Sequence, residues 1–301
     1  MIFQYLWFSS FVFLCSCNVL FGQRLQQNLG SHGAIDWETM VIHATGNSAI
    51  ISPERTQKLR ALEKAKIAAS QNLLEAIEKL GFNSETKIGE LLRGNSALKV
   101  KVESAARKFT IVNTRSMSDM SVEIDIELPV MEYLGELLLP DETGKSQLRL
   151  SDQPLCPTCG QPWPEYKPVP KGVVLIVPSE GYFAENGSPY TGLIIDAREA
   201  AFAPVFAPKI LNERLEEIYG IDYVDRETAI KSGVVNYRRT LKHALSDERA
   251  GPRPLIIQAL SRSRKRTSNI MISNNDAILI HAAAHAQNFL RECRVVIVTA
   301  K

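Results

Sequence analysis

The chain has 301 residues, of which 45% are hydrophobic, and its 35 basic side chains nearly balance its 33 acidic ones. This hydrophobic content is typical of a folded protein and excludes wholesale disorder. A net charge of +2 gives no basis for a nucleic-acid partner, and the length suggests about two domains.

The first 23 residues contain no Asp, Glu, Lys or Arg, and the run from Ile2 to Leu14 has the composition of a secretory leader. We therefore expect a signal or lipoprotein leader over residues 1–22 and an exported protein. Three fates of the leader stay open. Leu14-Cys15-Ser16-Cys17 resembles a lipobox, which would make Cys17 the lipidation site. Leu20-Phe21-Gly22 would permit ordinary cleavage, and an uncleaved segment of this length could just span roughly 30 Å of hydrocarbon.

Residues 37–139 are expected to form an N-terminal α+β domain. A helix is predicted to begin at Ser52-Pro53-Glu54, because Ser can cap a helix, Pro fits its first position and an acid favours its positive end. Gly81 is expected to end it. Before this helix, Met40 to Ile51 is predicted to contain a strand.

Three further strands are predicted in this domain. Leu98 to Val102 and Lys108 to Val112 have strand-like composition. Val122 to Leu128 alternates strictly, which places four apolar side chains on one face and three acids on the other.

Residues 140–171 are predicted to be a Pro-rich linker, since six prolines lie between Pro154 and Pro170. Cys156 and Cys159 lie within this segment as a C-x-x-C pair. The pair is compatible with a disulfide, with a metal site completed by His or partner ligands, or with a redox site. The surrounding prolines disfavour the helix start that a thioredoxin-like site requires.

Residues 172–301 are expected to form a C-terminal α/β domain. Asp225 is predicted to cap a helix that has apolar residues at helical spacing as far as Leu245. The last helix is predicted to be capped within Ser273 to Asn275. The predicted strands are 173–177, 192–197, 205–211, 218–219, 255–260, 269–272 and 294–299. The fold class is therefore predicted to be α+β, with two small α/β modules with mixed sheets joined by the Pro-rich linker.

His281 and His285 are spaced i, i+4 on the last predicted helix and are weak candidates for metal ligands. Ala282-Ala283-Ala284 between them lacks the Glu of a metalloprotease motif, and partial burial is the simpler interpretation. Asp196 and Arg198 follow an apolar strand, where carboxylates can reach an active-site crevice, although an acid at a strand end is more often a turn or cap residue. Cys293 is expected to be a small buried residue. A basic cluster is interpreted as a solvated hairpin tip, with binding to an anionic surface such as lipid headgroups as the alternative: Arg262, Arg264, Lys265 and Arg266.

The stretch from Gly46 through Arg60-Ala61-Leu62-Glu63-Lys64-Ala65 to Val122–Pro129 resembles a periplasmic and outer-membrane lipoprotein family that shares a domain with the N-terminal part of flagellar assembly protein T. Tyr190 to Arg198, Ala207 to Ile210 and Tyr219-Gly220 resemble the C-terminal part of longer members of that group. The resemblance implies an envelope location and an assembly or scaffolding role, and it carries no catalytic residues with it.

These observations together predict a non-enzymatic exported envelope protein in envelope or flagellar-type assembly. Its expected location is the periplasm, or the outer membrane if Cys17 is acylated. No cofactor and no catalytic residue is assigned, and the expected partners are envelope or flagellar-type proteins. The alternative is a metal-dependent periplasmic enzyme using His281, His285 and Asp196, or a ligand-binding module.

Overall fold

The computed structural model describes residues 25–50, 52, 54–261 and 268–300. Within these residues it contains seven α-helices and three β-sheets, which confirms the α+β class. The first sheet is antiparallel, the second is parallel and the third contains both kinds of pairing. No helix among the described residues has the length and apolar character needed to cross a bilayer.

The N-terminal module, residues 25–139, contains one sheet and four helices, and its sheet begins with a strand that precedes the expected boundary at Trp37. Its strand order is β1-β2-β3-β5-β4, with every neighbouring pair antiparallel. The elements are β1 (Gln26–Asn28), β2 (Gly33–Asp36), β3 (Val41–Ala49), α1 (Arg55–Lys79), α2 (Ile88–Gly94), α3 (Ser96–Ala106), β4 (Thr110–Ser116), β5 (Ser121–Pro129) and α4 (Val130–Leu138).

Helix α1 covers one face of this sheet, where it packs on β3 and β5. The alternation predicted for β5 is confirmed, because its four apolar side chains are buried and its acids are only partly buried. A stripe of alanines lines the contact side of α1, including Ala65 and Ala69. These small residues let α1 approach β3 so closely that a Cβ at Gly46 would lie 2.7 Å from the Cα of Ala69.

Two local predictions in this module are wrong. Leu98 to Val102 lies in helix α3, not in a strand. The Asn95 side chain caps that helix by accepting the N–H of Leu98 at 3.0 Å, and Val102, Ala105 and Ala106 are buried at helical spacing. Ser52 is not the cap of α1, because the capping position falls on Glu54, which makes no side-chain cap bond.

The C-terminal module, residues 172–300, contains a four-stranded parallel sheet in the order β10-β6-β12-β9 and a three-stranded sheet in the order β11-β7-β8. Its elements are β6 (Gly192–Asp196), β7 (Lys209–Leu211), β8 (Glu217–Tyr219), α5 (Arg226–Ser232), β9 (Asn236–Arg238), α6 (Leu241–Leu245), β10 (Pro254–Gln258), β11 (Asn269–Met271), α7 (Asn274–Ala286) and β12 (Val295–Val298).

The helix predicted from Asp225 to Leu245 is wrong beyond its first two turns. Asp225 does cap α5 through the N–H of Thr228, but Gly233, at φ 79°, ends that helix. The chain then forms β9, which pairs in parallel with the buried strand β12. Tertiary pairing therefore overrides the helical spacing of apolar residues in this segment.

Residues 140–171 contain no helix or strand, and they pack along the C-terminal module. Gly144 donates its N–H to Ile221 at 3.0 Å, and Ser146 donates to Asp222 at 2.7 Å. Leu155 and Ile176 form an isolated antiparallel bridge. The strand predicted over Val173 to Val177 is wrong apart from that bridge, since nothing pairs with the rest of it.

The two modules share one hydrophobic core. Trp37 meets Tyr237 edge to face, with ring centroids 5.5 Å apart, and Phe82 stacks on Phe206. Arg238 also donates to the backbone oxygen of Glu38 across the junction. The relative placement of the modules therefore depends on packed aromatic residues as well as on the connecting segment.

Candidate functional site

Strand β4 is an exposed edge of the N-terminal sheet. Among the described residues it pairs only with β5, and all seven of its residues are exposed. Met117 donates its N–H to Ser121 at 2.8 Å, so Met117 turns its backbone groups toward β5. Because alternate residues of a strand face opposite edges, Arg115 also faces β5, whereas Thr114 and Ser116 direct their N–H and C=O groups outward.

Apolar side chains lie along this edge and around the turn that follows it. Ile111 and Val112 are 43% and 48% exposed, and Met120 in the β4–β5 turn is 62% exposed. The register shifts between Ile111 and Asn113, which makes a bulge at Val112. The outer edge of β4 can therefore offer both main-chain hydrogen bonds and apolar contacts.

The open face of the same sheet carries an ion-pair cluster next to this edge. Arg115 forms salt bridges with Glu123 and with Asp125, the latter at 2.8 Å. The hydrogen bond that Arg115 donates to Glu123 is the main reason that the pKa of Arg115 is raised. All three side chains are partly solvated, so this cluster orients β4 against β5 but contributes little stability.

Asp196 lies at the carboxyl end of β6, as the sequence predicts, and its side chain is 7% exposed. Arg198 binds both of its oxygens, with Nε 2.8 Å from Oδ1 and Nη2 2.5 Å from Oδ2. Hydrogen bonding from Arg198 lowers the pKa of Asp196. A carboxylate held in this way is a weak base, so its evident role is to fix the turn after β6.

His281 and His285 lie on α7 in different environments. His281 is buried, and its Nδ1 accepts the N–H of Arg149 at 3.0 Å while its Nε2 lies 2.9 Å from the oxygen of Ile218. Burial lowers the pKa of His281, which favours the neutral ring. His285 is exposed. Both ring nitrogens of His281 are occupied, and the described residues contain no group of three metal-ligating side chains.

Cys156 and Cys159 lie together in a turn, both as free thiols. The backbone N–H groups of Cys159 and Thr158 hydrogen-bond to the Cys156 sulfur and lower its pKa. Cys293 is buried, as predicted, and burial raises its pKa to about 12. The first two cysteines are therefore accessible and the third is chemically protected.

A partly buried polar cluster lies near β9 and was not predicted from the sequence. Arg238 forms a salt bridge with Asp247 at 2.8 Å, and Asn236 donates to both oxygens of the same carboxylate. Arg249 donates to the oxygens of Gly233 and Ser232, and burial lowers its pKa. The polar residues on either side of Tyr237 could have indicated a strand, but the helical spacing of Val234, Tyr237 and Leu241 favoured a helix instead.

Two sets of candidate residues lie outside the described part of the chain. These are Cys17 and the basic cluster of Arg262, Arg264, Lys265 and Arg266. Their predicted roles stay predictions.

Residues 192–301 match a family model described as the second domain of Treponema pallidum Tp0624. The match begins at the first residue of β6 and so covers all four strands of the parallel sheet. Among curated proteins, none matches the chain.

Proposed function

We propose that this is a non-enzymatic exported protein of the cell envelope that serves envelope or flagellar-type assembly as a scaffold. It would hold an extended segment of a partner protein along the outer edge of β4. The observation that carries the proposal is the full exposure of this seven-residue strand, whose outer edge has no neighbouring strand among the described residues.

An exposed edge favours strand addition because its outward backbone groups have no protein partner within the described part of the chain. A partner segment gains about 1 kcal/mol for each main-chain hydrogen bond that it forms. Thr114 and Ser116 would supply these bonds, and Ile111 would supply apolar contact. The bulge at Val112 limits the length over which a regular partner strand can pair.

The proposed location rests on the leader and on the resemblance to envelope lipoproteins. The uncharged segment before Arg24 supports export to the periplasm, and acylation of Cys17 would tether the protein to the outer membrane. In this arrangement the partners would be envelope or flagellar-type proteins.

The test places a photo-crosslinking amino acid at Ser116 in the native host and identifies the crosslinked protein by mass spectrometry. We expect one envelope protein to be captured, because Ser116 turns its backbone groups toward the partner. The same amino acid at Val100, which is 65% exposed on α3, provides the matched control.

A second pair of variants tests whether backbone hydrogen bonds carry the interaction. Thr114→Pro removes an outward donor and should abolish the crosslink, whereas Thr114→Val keeps the N–H and should preserve it. Thermal unfolding confirms that both variants fold. Equal crosslinking by both variants, or capture of the same protein from position 100, would contradict the proposal.

A further inference from the structure

A tight turn within the Pro-rich segment brings Cys156 and Cys159 together. Gly160 donates its N–H to the oxygen of Cys156 at 2.8 Å, and Cys156 donates its own N–H to Gln161 at 2.9 Å. Gly160 has φ +63°, a conformation that favours glycine. Leu155 and Pro162 form a bridge below the turn, so the cysteines lie at the tip of a short hairpin.

This tip is held firmly against the C-terminal module. Leu155 exchanges two backbone hydrogen bonds with Ile176, of 2.8 and 3.1 Å. A Cβ at Gly160 would lie 2.7 Å from the Cβ of Asn275, in the first turn of α7. The hairpin therefore holds the cysteine pair in one geometry before any ligand arrives, which reduces the entropy lost on binding.

Both sulfur atoms of the pair are accessible to a ligand. Cys156 and Cys159 are free thiols, and neither residue is fully buried. Cys159 is exposed, so its sulfur is available to an incoming ion.

We infer that Cys156 and Cys159 form half of a tetrahedral zinc site that the same two thiolates of a second copy of this chain complete. Thiolate ligands select zinc over magnesium and calcium, and structural zinc takes four ligands. The described residues contain no group of three ligating side chains. His285 lies ten residues beyond Asn275, which is about 15 Å along α7 and too far to contribute.

The surface around the turn suits contact with its own copy. No charged residue occurs from Gln153 to Pro164, so two tips can approach without like-charge repulsion. Exposed apolar side chains follow close by, with Tyr166 95% and Val174 80% exposed. A two-fold axis through the ion would give a closed dimer. Each coordinating thiol releases its proton to solvent, so acid should weaken the site.

The test uses the full chain, purified under reducing conditions in the presence of zinc. We expect one zinc ion for every two chains and a dimeric mass by light scattering. Cobalt substitution should give the spectrum of a tetrahedral site with four thiolates. Cys156→Ser and Cys159→Ser should each lose both the ion and the dimer while keeping the melting temperature of the zinc-free wild type, and Lys167→Ala should change neither.

Four results would overturn the inference. One is a monomer that binds one zinc ion per chain, and another is reduced protein that binds none. A third is loss of zinc in a Cys15→Ser, Cys17→Ser variant, which would assign the missing ligands to the leader. The fourth is a Cys156–Cys159 disulfide without zinc in protein isolated from its native envelope. None of these results bears on partner binding at β4, so the two proposals fail independently.

Discussion

Replacing Gly46 with alanine should severely destabilise the N-terminal module. The added Cβ would overlap the backbone nitrogen of Ala69 and the backbone oxygen of Ala65, and it would lie 2.7 Å from the Cα of Ala69. These are backbone atoms of the 25-residue helix α1, so no side chain can rotate to make room. Relief requires α1 to move away from β3 by roughly 1 Å along much of its length, and a gap of that size forfeits about a quarter to a half of each dispersion contact.

The expected loss is about 3 kcal/mol in the free energy of unfolding, at the upper end of overpacking effects. For a protein of this size it corresponds to a decrease of roughly 6–12 °C in melting temperature. Chemical denaturation followed by circular dichroism measures the free energy. Gly94→Ala is the matched control, since no atom of the described residues lies within 4 Å of its Cβ position, and it should leave stability unchanged or slightly raised.

A second variant separates backbone overlap from side-chain crowding. Ala69→Gly removes only a methyl group and leaves the overlapping backbone atoms in place, so Gly46→Ala, Ala69→Gly should be no more stable than Gly46→Ala alone. Recovery of stability in the double variant, or a loss below about 1 kcal/mol in Gly46→Ala, would refute the reasoning.

Three further predictions concern titration, thiol reactivity and lipidation. Burial lowers the pKa of His281 in the folded protein, so below about pH 6.5 the unfolded chain binds more protons than the folded one. The free energy of unfolding should therefore fall with acidification, by up to about 1.4 kcal/mol per pH unit. Urea unfolding from pH 5 to 8 should show a flatter dependence in His281→Gln, and an identical slope would disprove this origin. Cys293 should resist alkylation at pH 8 until the protein unfolds, because the residue is buried and burial raises its pKa to about 12. Exposed Cys159 should react in the native state. Mass spectrometry of alkylated peptides distinguishes the two cysteines, and labelling of Cys293 before unfolding would count against its burial. Labelling with a clickable palmitate should depend on Cys17, and continued incorporation in Cys17→Ala would exclude the lipobox interpretation.

Local sequence was sufficient to predict those elements in which the spacing of the apolar residues matches the positions that are buried. Strand β5 alternates because one face packs on α1, and the register with β3 keeps every apolar residue on that face. The cap of α5 at Asp225 follows an equally local rule, whereas for α1 the sequence predicted the helix but not its cap. The α+β class could be predicted from the succession of such elements.

The tertiary structure decided the elements whose partners are distant in sequence. Tyr237 has helical spacing from Val234 and Leu241, yet it lies in β9 because β12 offers a strand to pair with and Trp37 offers a ring to pack on. Leu98 to Val102 alternates like a strand but forms α3, where the Asn95 cap and burial of Val102 outweigh exposure of Val100.

The candidate sites likewise include features that the sequence alone identified and features that only the fold revealed. The sequence alone singled out Cys156 and Cys159 as a pair, because their spacing in the chain is itself the chemical signal. Only the fold showed that His281 is buried and His285 exposed, that Arg198 binds Asp196, and that β4 has no second neighbouring strand among the described residues. Short-range periodicity determines which face of an element is apolar, but the choice of neighbour depends on contacts between residues that the chain brings together only when it folds.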